Sequence, residues 1–193
     1  MTLFVLRHGE TPWSKVRKHT GRSDVPLTDS GRAAAANAGL LLRRLRGDMP
    51  WALVLSSPLA RAQETAQLAG LHAKVDDRLQ EWDYGDYDGR TSDEITRERP
   101  GWDLWRDGCP GGEQIADVAA RVDDLLTSRI SPALPRGDVI VIAHSHLLRV
   151  LVARWLGFSP DTGRHFVLDA AHLGLLGTEH TSPALLGWNI GPS

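Results

Sequence analysis

Cysteine is almost missing from this sequence: Cys109 alone in 193 residues. A lone thiol cannot close an internal disulfide, which excludes a disulfide-stapled scaffold and suits a reducing, cytoplasmic setting. An excess of either charge is missing too. The 22 basic and 24 acidic residues leave a formal net charge of −2. So even a balance leaves no electrostatic footprint for nucleic acid or for an anionic membrane surface. No apolar run approaches the roughly 20 residues that span a bilayer. The first strand pattern begins at about Thr2, leaving no room ahead of it for a charged, apolar and cleavable leader. Aromatic residues make up 6%, and tryptophan supplies seven of them. With no basic stripe beside them, the tryptophans are expected in the core and pocket walls rather than as a stacking platform. Repeats, low-complexity tracts and linkers are also lacking, so residues 1–193 are expected to form a single domain.

What is present is an alternation of short apolar runs with helical patterns, the mark of an α/β fold with a mostly parallel sheet. The runs LFVL (3–6), WALVL (51–55) and DVIVIA (138–143) are continuous rather than alternating, as when helices cover both faces. Between the first two, Ala34, Ala38, Leu41 and Leu45 share a helical face, and Gly47 is placed to stop that helix. Ser57 and Pro58 predict a helix start running to Gly70, and Thr91 with Glu94 predicts a capping box. A longer helix is predicted over about 113–129, and a mostly apolar one from His146 to Gly157. The tail is expected to hold two or three strands: FVLD, HLGLLGTEH and ALLGWNI.

The chemistry begins where the first strand ends, in Arg7 and His8. A cation and an imidazole at a core boundary are costly to desolvate without partners. In an open parallel sheet, ligands bind beyond the carboxyl ends of the strands. Three strands deliver polar residues there: Arg7 and His8, then Ser57 with Arg61 one turn further on, then His144, Ser145 and His146. Two arginines, two histidines and a helix start suit a phosphate dianion, because the guanidinium fork matches phosphate oxygens in pairs. A fourth segment, LQEWDYGDYDG (79–89), sets Glu81 among Leu79, Trp82 and Tyr84. Desolvation there is expected to favour the protonated form that a general acid needs. Asp83 is its rival for that role. Together these predict attack on phosphorus by His8, with Arg7, Arg61 and His144 around the equatorial oxygens. Glu81 then exchanges a proton with the leaving alcohol and the attacking water. Neither metal nor cofactor is required, since the guanidinium groups supply the positive charge.

These segments, LRHGETPWS, TGRSDVPLTDSG, SSPLARAQETA, EWDYGDYDG and VIAHSH, resemble in order and spacing the histidine phosphatase superfamily, the phosphoglycerate-mutase-like proteins. The resemblance implies a three-layer αβα sandwich with His8 as the phosphorylated nucleophile and Glu81 as proton donor. It implies Arg7, Arg61 and His144 as the phosphate pocket, and Thr20 and Gly21 in a substrate-contacting loop. Ser14 stands where most members carry asparagine against the transferred phosphate, Lys18 where arginine is usual, and Ser145 where glycine often follows the second histidine. The nearest likeness is to sedoheptulose-1,7-bisphosphatase-type enzymes and small acid phosphatases. The implied activity is metal-independent hydrolysis of small phosphorylated metabolites such as sugar phosphates.

Two other readings compete. Mutases of this type insert a longer segment after the glutamate, carrying extra cations; here Arg90, Arg97, Arg99 and Arg106 lie among acidic residues. A non-catalytic phosphate-binding module would be expected to lack His8 or Glu81, and both are present. HSH at 144–146 could chelate a metal, but no Asp, Glu or Cys cluster accompanies it. The other histidines are expected at surface or packing positions, with His172 the one that could approach from the tail. The apolar final strands offer a surface for pairing with a second copy.

Overall fold

The computed structural model describes residues 1–191. In chain order the elements are β1 (Leu3–Arg7), α1 (Pro12–Lys15), α2 (Asp29–Arg46), β2 (Leu53–Ser56), α3 (Ala60–Leu68) and β3 (Lys74–Val75). Then follow α4 (Ser92–Glu98), α5 (Leu104–Asp107), α6 (Ile115–Leu125), α7 (Ser131–Ala133), β4 (Val139–Ala143), α8 (Ser145–Trp155), β5 (Leu173–Glu179) and β6 (Ser182–Ile190). The six strands form one sheet in the order β3-β2-β4-β1-β5-β6. β3, β2, β4 and β1 run parallel; β5 and β6 are antiparallel additions beyond β1. This is the expected mostly parallel sheet between helical layers.

Each strand sends alternate residues to opposite faces, and the two faces meet different helices. Phe4, Leu6, Ile140 and Ile142 pack with Ala38 and Leu42 of α2 and Ala62 and Ala66 of α3. Leu3, Val5, Val139 and Val141 pack on the other side with α6, α8, Trp82, Trp102 and Trp105. The double coverage is why these strands carry no polar alternation.

Several boundaries depart from the sequence expectation. β2 begins at Leu53, because Trp51 sits outside the ladder and takes Arg46 over its ring at 3.8 Å. α6 ends at Leu125 and continues as a π-helical turn, Leu126–Ile130. FVLD is not a strand: the tail carries only β5 and β6 among the described residues, and Leu168 turns its carbonyl to Arg7. The helix predicted to start at Ser57 begins instead at Ala60, with Leu59 as its N-cap. The Thr91–Glu94 capping box and the Gly47 stop stand where expected.

Candidate active site

The parallel core brings its carboxyl ends to one edge. Arg7 pairs with Ala143 across β1 and β4, and the His8 amide donates to the Ala143 carbonyl at 2.9 Å. The Ser57 amide donates to Ile142 at 3.0 Å. Arg7, His8, Ser57 and His144 therefore meet because three adjacent strands end together. A pocket of about 440 Å³ opens above them, within the usual range for small-molecule sites. Arg7, His8, Ser14, Thr20, Glu81 and Ser145 line it.

His8 is buried, and its Nδ1 lies 2.7 Å from the Gly9 carbonyl oxygen. A carbonyl only accepts, so Nδ1 carries the proton and Nε2 keeps its lone pair. Burial pushes the His8 pKa well below the ordinary imidazole value, and the charges of Arg61 and Arg7 push it further the same way. Arg7 donates through Nη1 to Leu168 at 2.6 Å, while its buried Nε has no protein partner. An unpaired buried donor is costly unless a ligand meets it.

Arg61 and His144 lie beneath the pocket rather than in its lining; both are fully buried. Arg61 donates through Nη1 to the carbonyl of Ser23, and through Nη2 to those of Thr20 and Gly21, at 2.8–3.0 Å. Its Nε donates to His144 Nδ1 at 3.2 Å. That fixes the second tautomer: His144 carries its proton on Nε2 and donates it to Ser57 Oγ at 2.7 Å. The His8 and His144 rings stand 5.1 Å apart. Burial and neighbouring cations push the His144 pKa well below its ordinary value as well. Fully engaged on both nitrogens, His144 has no lone pair for a metal. No group of three or more His, Cys, Asp or Glu placed to hold a metal ion occurs among the described residues.

Ser57 Oγ also accepts from the Leu59 amide at 3.3 Å, one residue short of α3, and so does not cap the helix itself. Asp24 does so instead, both its carboxylate oxygens accepting from the Ala60 amide at 3.0 and 3.2 Å. The helix start expected to face a phosphate already holds a carboxylate. A similar substitution occurs at α8. Glu81, 4% exposed, accepts from the amides of His146 and Leu147 there, and from Trp82, at 2.9–3.1 Å. The apolar shell expected from Leu79, Trp82 and Tyr84 is therefore replaced on the carboxylate side by three peptide donors. Asp83 is turned away, against Arg22 at 3.2 Å and the Gly85 amide.

Other expectations shift. Ser14 lines the pocket, but its hydroxyl closes a capping box with Thr11, donating to the Thr11 carbonyl and accepting from its amide. Its one hydroxyl proton is taken up locally. Thr20 donates to the Lys18 carbonyl at 3.1 Å. Gly21 is not in the lining; a Cβ there would meet the Trp82 carbonyl at 2.9 Å, so glycine lets this loop close over the 82–84 segment. His19, expected among scattered packing residues, lines the pocket, as do Tyr84, His146, Arg149, Arg17 and Lys18. Tyr84 and His146 were visible in the quoted motifs, and their 2.6 Å contact needed the fold.

Residues 3–191 match the histidine phosphatase superfamily (branch 1). The chain belongs to that superfamily. It is 41% identical over 179 residues to an acid phosphatase of Mycobacterium tuberculosis, covering 92% of this chain and 87% of the relative. A sedoheptulose 1,7-bisphosphatase of Saccharomyces cerevisiae is 34% identical, covering 80% of this chain and 67% of its own. A 2,3-bisphosphoglycerate-dependent phosphoglycerate mutase of Azorhizobium caulinodans is also 34% identical, over 93% of this chain and 94% of the relative. Among solved structures, the product of a Mycobacterium tuberculosis open reading frame superposes with a TM-score of 0.94 at 38% identity, covering 100% of this chain and 98% of that one. No helix among the described residues is long and apolar enough to cross a membrane.

Proposed function

We propose that this histidine phosphatase family member hydrolyses small phosphomonoesters, sugar phosphates among them, through a phosphohistidine on His8. The observation that carries the reading is the His8 tautomer. With Nδ1–H committed to Gly9 and the ring neutral, Nε2 offers a lone pair to phosphorus beside Arg7, whose buried Nε lacks a partner. Attack forms the Nε2–P bond as the ester P–O bond breaks. Glu81 delivers a proton to the departing alkoxide. Water then attacks phosphorus, Glu81 takes its proton back, and phosphate leaves His8 free.

Arg7 supports the equatorial oxygens directly. Arg61 and His144 act from below: Arg61 holds the Thr20–Ser23 loop and fixes the His144 tautomer, and its charge lies close enough to His8 to act on the ring. The guanidinium groups supply the charge a metal ion supplies in other phosphoryl transfers.

The mutase relative keeps isomerisation as a second reading. The cations of the 90–113 segment do not serve it: Arg90 pairs with Glu98 and Arg106 with Asp107, and neither lines the pocket. The names acid phosphatase and sedoheptulose bisphosphatase among the relatives favour hydrolysis. The test is phosphate release from p-nitrophenyl phosphate across pH, with EDTA present, for the natural sequence and His8→Ala. Metal-independent release that persists below pH 6 and vanishes in the variant supports the reading. Conversion of 3-phosphoglycerate without free phosphate would establish a mutase instead.

A further inference from the structure

At the pocket mouth stand two cations that the phosphate chemistry above leaves unused. Arg17 and Lys18 both line the pocket, and among the described residues neither side chain makes a hydrogen bond or an ion pair. The other two lining arginines are already engaged. Arg149 donates to the Gly163 and Arg164 carbonyls, and Arg7 donates to Leu168. The lining carboxylates Glu81 and Asp169 both act on Arg7, raising its pKa against burial. The nearby Glu94 turns its Oε2 to the amide and hydroxyl of Thr91 rather than to Lys18.

The segment carrying these cations is a constructed loop. The Thr11–Ser14 capping box fixes its start, and the amides of Arg17 and Lys18 donate to Ser14 and Trp13 at 3.1 and 3.0 Å. Its exit is pinned by an antiparallel bridge from Lys18 to Thr91, with His19 donating to Arg90 and accepting from Gly89. Gly89, at φ +80°, lets the Trp13 ring lie against the backbone; a Cβ would meet that ring at 3.0 Å. Within the loop Arg17 itself takes φ +58°, a left-handed conformation uncommon outside glycine. Such strain persists where surrounding structure over-determines it, and it clusters at ligand clamps. Here it sets Arg17, beside Lys18 whose Nζ lies 5.8 Å from the Trp13 ring centre, at the mouth of an anion site with no carboxylate partner for either among the described residues.

We propose that Arg17 and Lys18 form a subsite for a second anionic group on the substrate's alcohol portion, so that the preferred esters carry a further phosphate or a carboxylate. The proposal rests on the phosphatase reading and narrows its substrate class. The contact is made equally in ground state and transition state, remote from phosphorus, so it acts through KM more than kcat.

The test measures kcat/KM on two matched pairs: fructose 1,6-bisphosphate against fructose 6-phosphate, and 3-phosphoglycerate against glycerol 3-phosphate. The natural sequence is compared with Arg17→Asn/Lys18→Gln. Asparagine tolerates the left-handed backbone, and equal Tm values confirm folding; Lys18→Gln alone serves should the double variant fold poorly. The natural protein is expected to prefer the doubly anionic member of at least one pair by tenfold or more in 0.15 M salt, where the Debye length is about 8 Å. In the double variant that ratio is expected to collapse to within about threefold, chiefly through KM. The first pair probes a second phosphate and the second a carboxylate. Equal rates within both pairs, a preference the variant retains, or one seen only at low salt would each overturn the proposal. Release of phosphate from p-nitrophenyl phosphate but from none of the four esters would overturn the subsite alone; no release from any of the five would remove the phosphatase reading, and the subsite with it.

Discussion

Acidification from pH 6.5 to 5.5 should destabilise this protein through its imidazoles. His8, His144 and His146 are all held neutral, chiefly by burial and further by nearby cations. Burial takes His19 down to about 4. In the unfolded chain each titrates near 6.5. Their folded pKa values are depressed, so across this window the unfolded state binds more protons and stability falls as pH falls. Each neutral histidine loses about 1 kcal/mol between pH 6.5 and 5.5. All four together give about 4 kcal/mol, against a total of about 5–15 kcal/mol for a typical domain. The carboxylates held low by partners, Asp107 at about 2 among them, begin to titrate below this window and do not confuse it. The assay is urea unfolding at several pH values, with scanning calorimetry beside it. At this chain length the expected fall in Tm is about 8–16 °C. His19→Asn should reduce the slope by about a quarter. A free energy that is flat or rises on acidification would refute the reasoning, because it would mean that these rings already carry protons in the folded state. Saturating phosphate should restore part of the loss if it binds the folded site.

Two further outcomes follow from the site. Glu81→Gln removes the proton donor, so hydrolysis of a sugar phosphate should fall about 10²–10⁴-fold. Release of p-nitrophenolate, a good leaving group, should fall less; equal loss on both esters would show that the carboxylate's role is to hold the start of α8. Ser57→Ala leaves the His144 Nε2–H without its 2.7 Å acceptor in a fully buried position. The expected cost is about 1–3 kcal/mol in urea unfolding, and no change would refute a contribution of this hydrogen bond to stability.

Some of this was determined locally. Continuous runs of Val, Ile and Leu make fully covered strands in any α/β context. Arg7 and His8 directly follow such a run, so their place at a strand's carboxyl end could be read from their neighbours. The Thr91–Glu94 cap and the Gly47 stop depend on residues three or four apart and were legible for the same reason. What the tertiary structure decided were competitions between distant groups for one partner. Ser57 had the sequence of an N-cap, but His144, 87 residues later, takes its hydroxyl, and Asp24 caps the helix instead. Glu81 had the neighbours of a desolvated acid, yet the start of α8, some 65 residues on, supplies it with amide donors. Arg61 had the character of an open phosphate clamp and lies instead beneath the pocket, holding the Thr20–Ser23 loop. The cation pair at the mouth belongs to the same class. In the sequence Lys18 is marked only as standing where arginine is usual and Arg17 carries no signal; the left-handed turn and the bridge to Thr91 bring both to the pocket. Local pattern sets which backbone a segment prefers; which hydroxyl, amide or charge a side chain finally meets depends on what folding brings within about 3 Å.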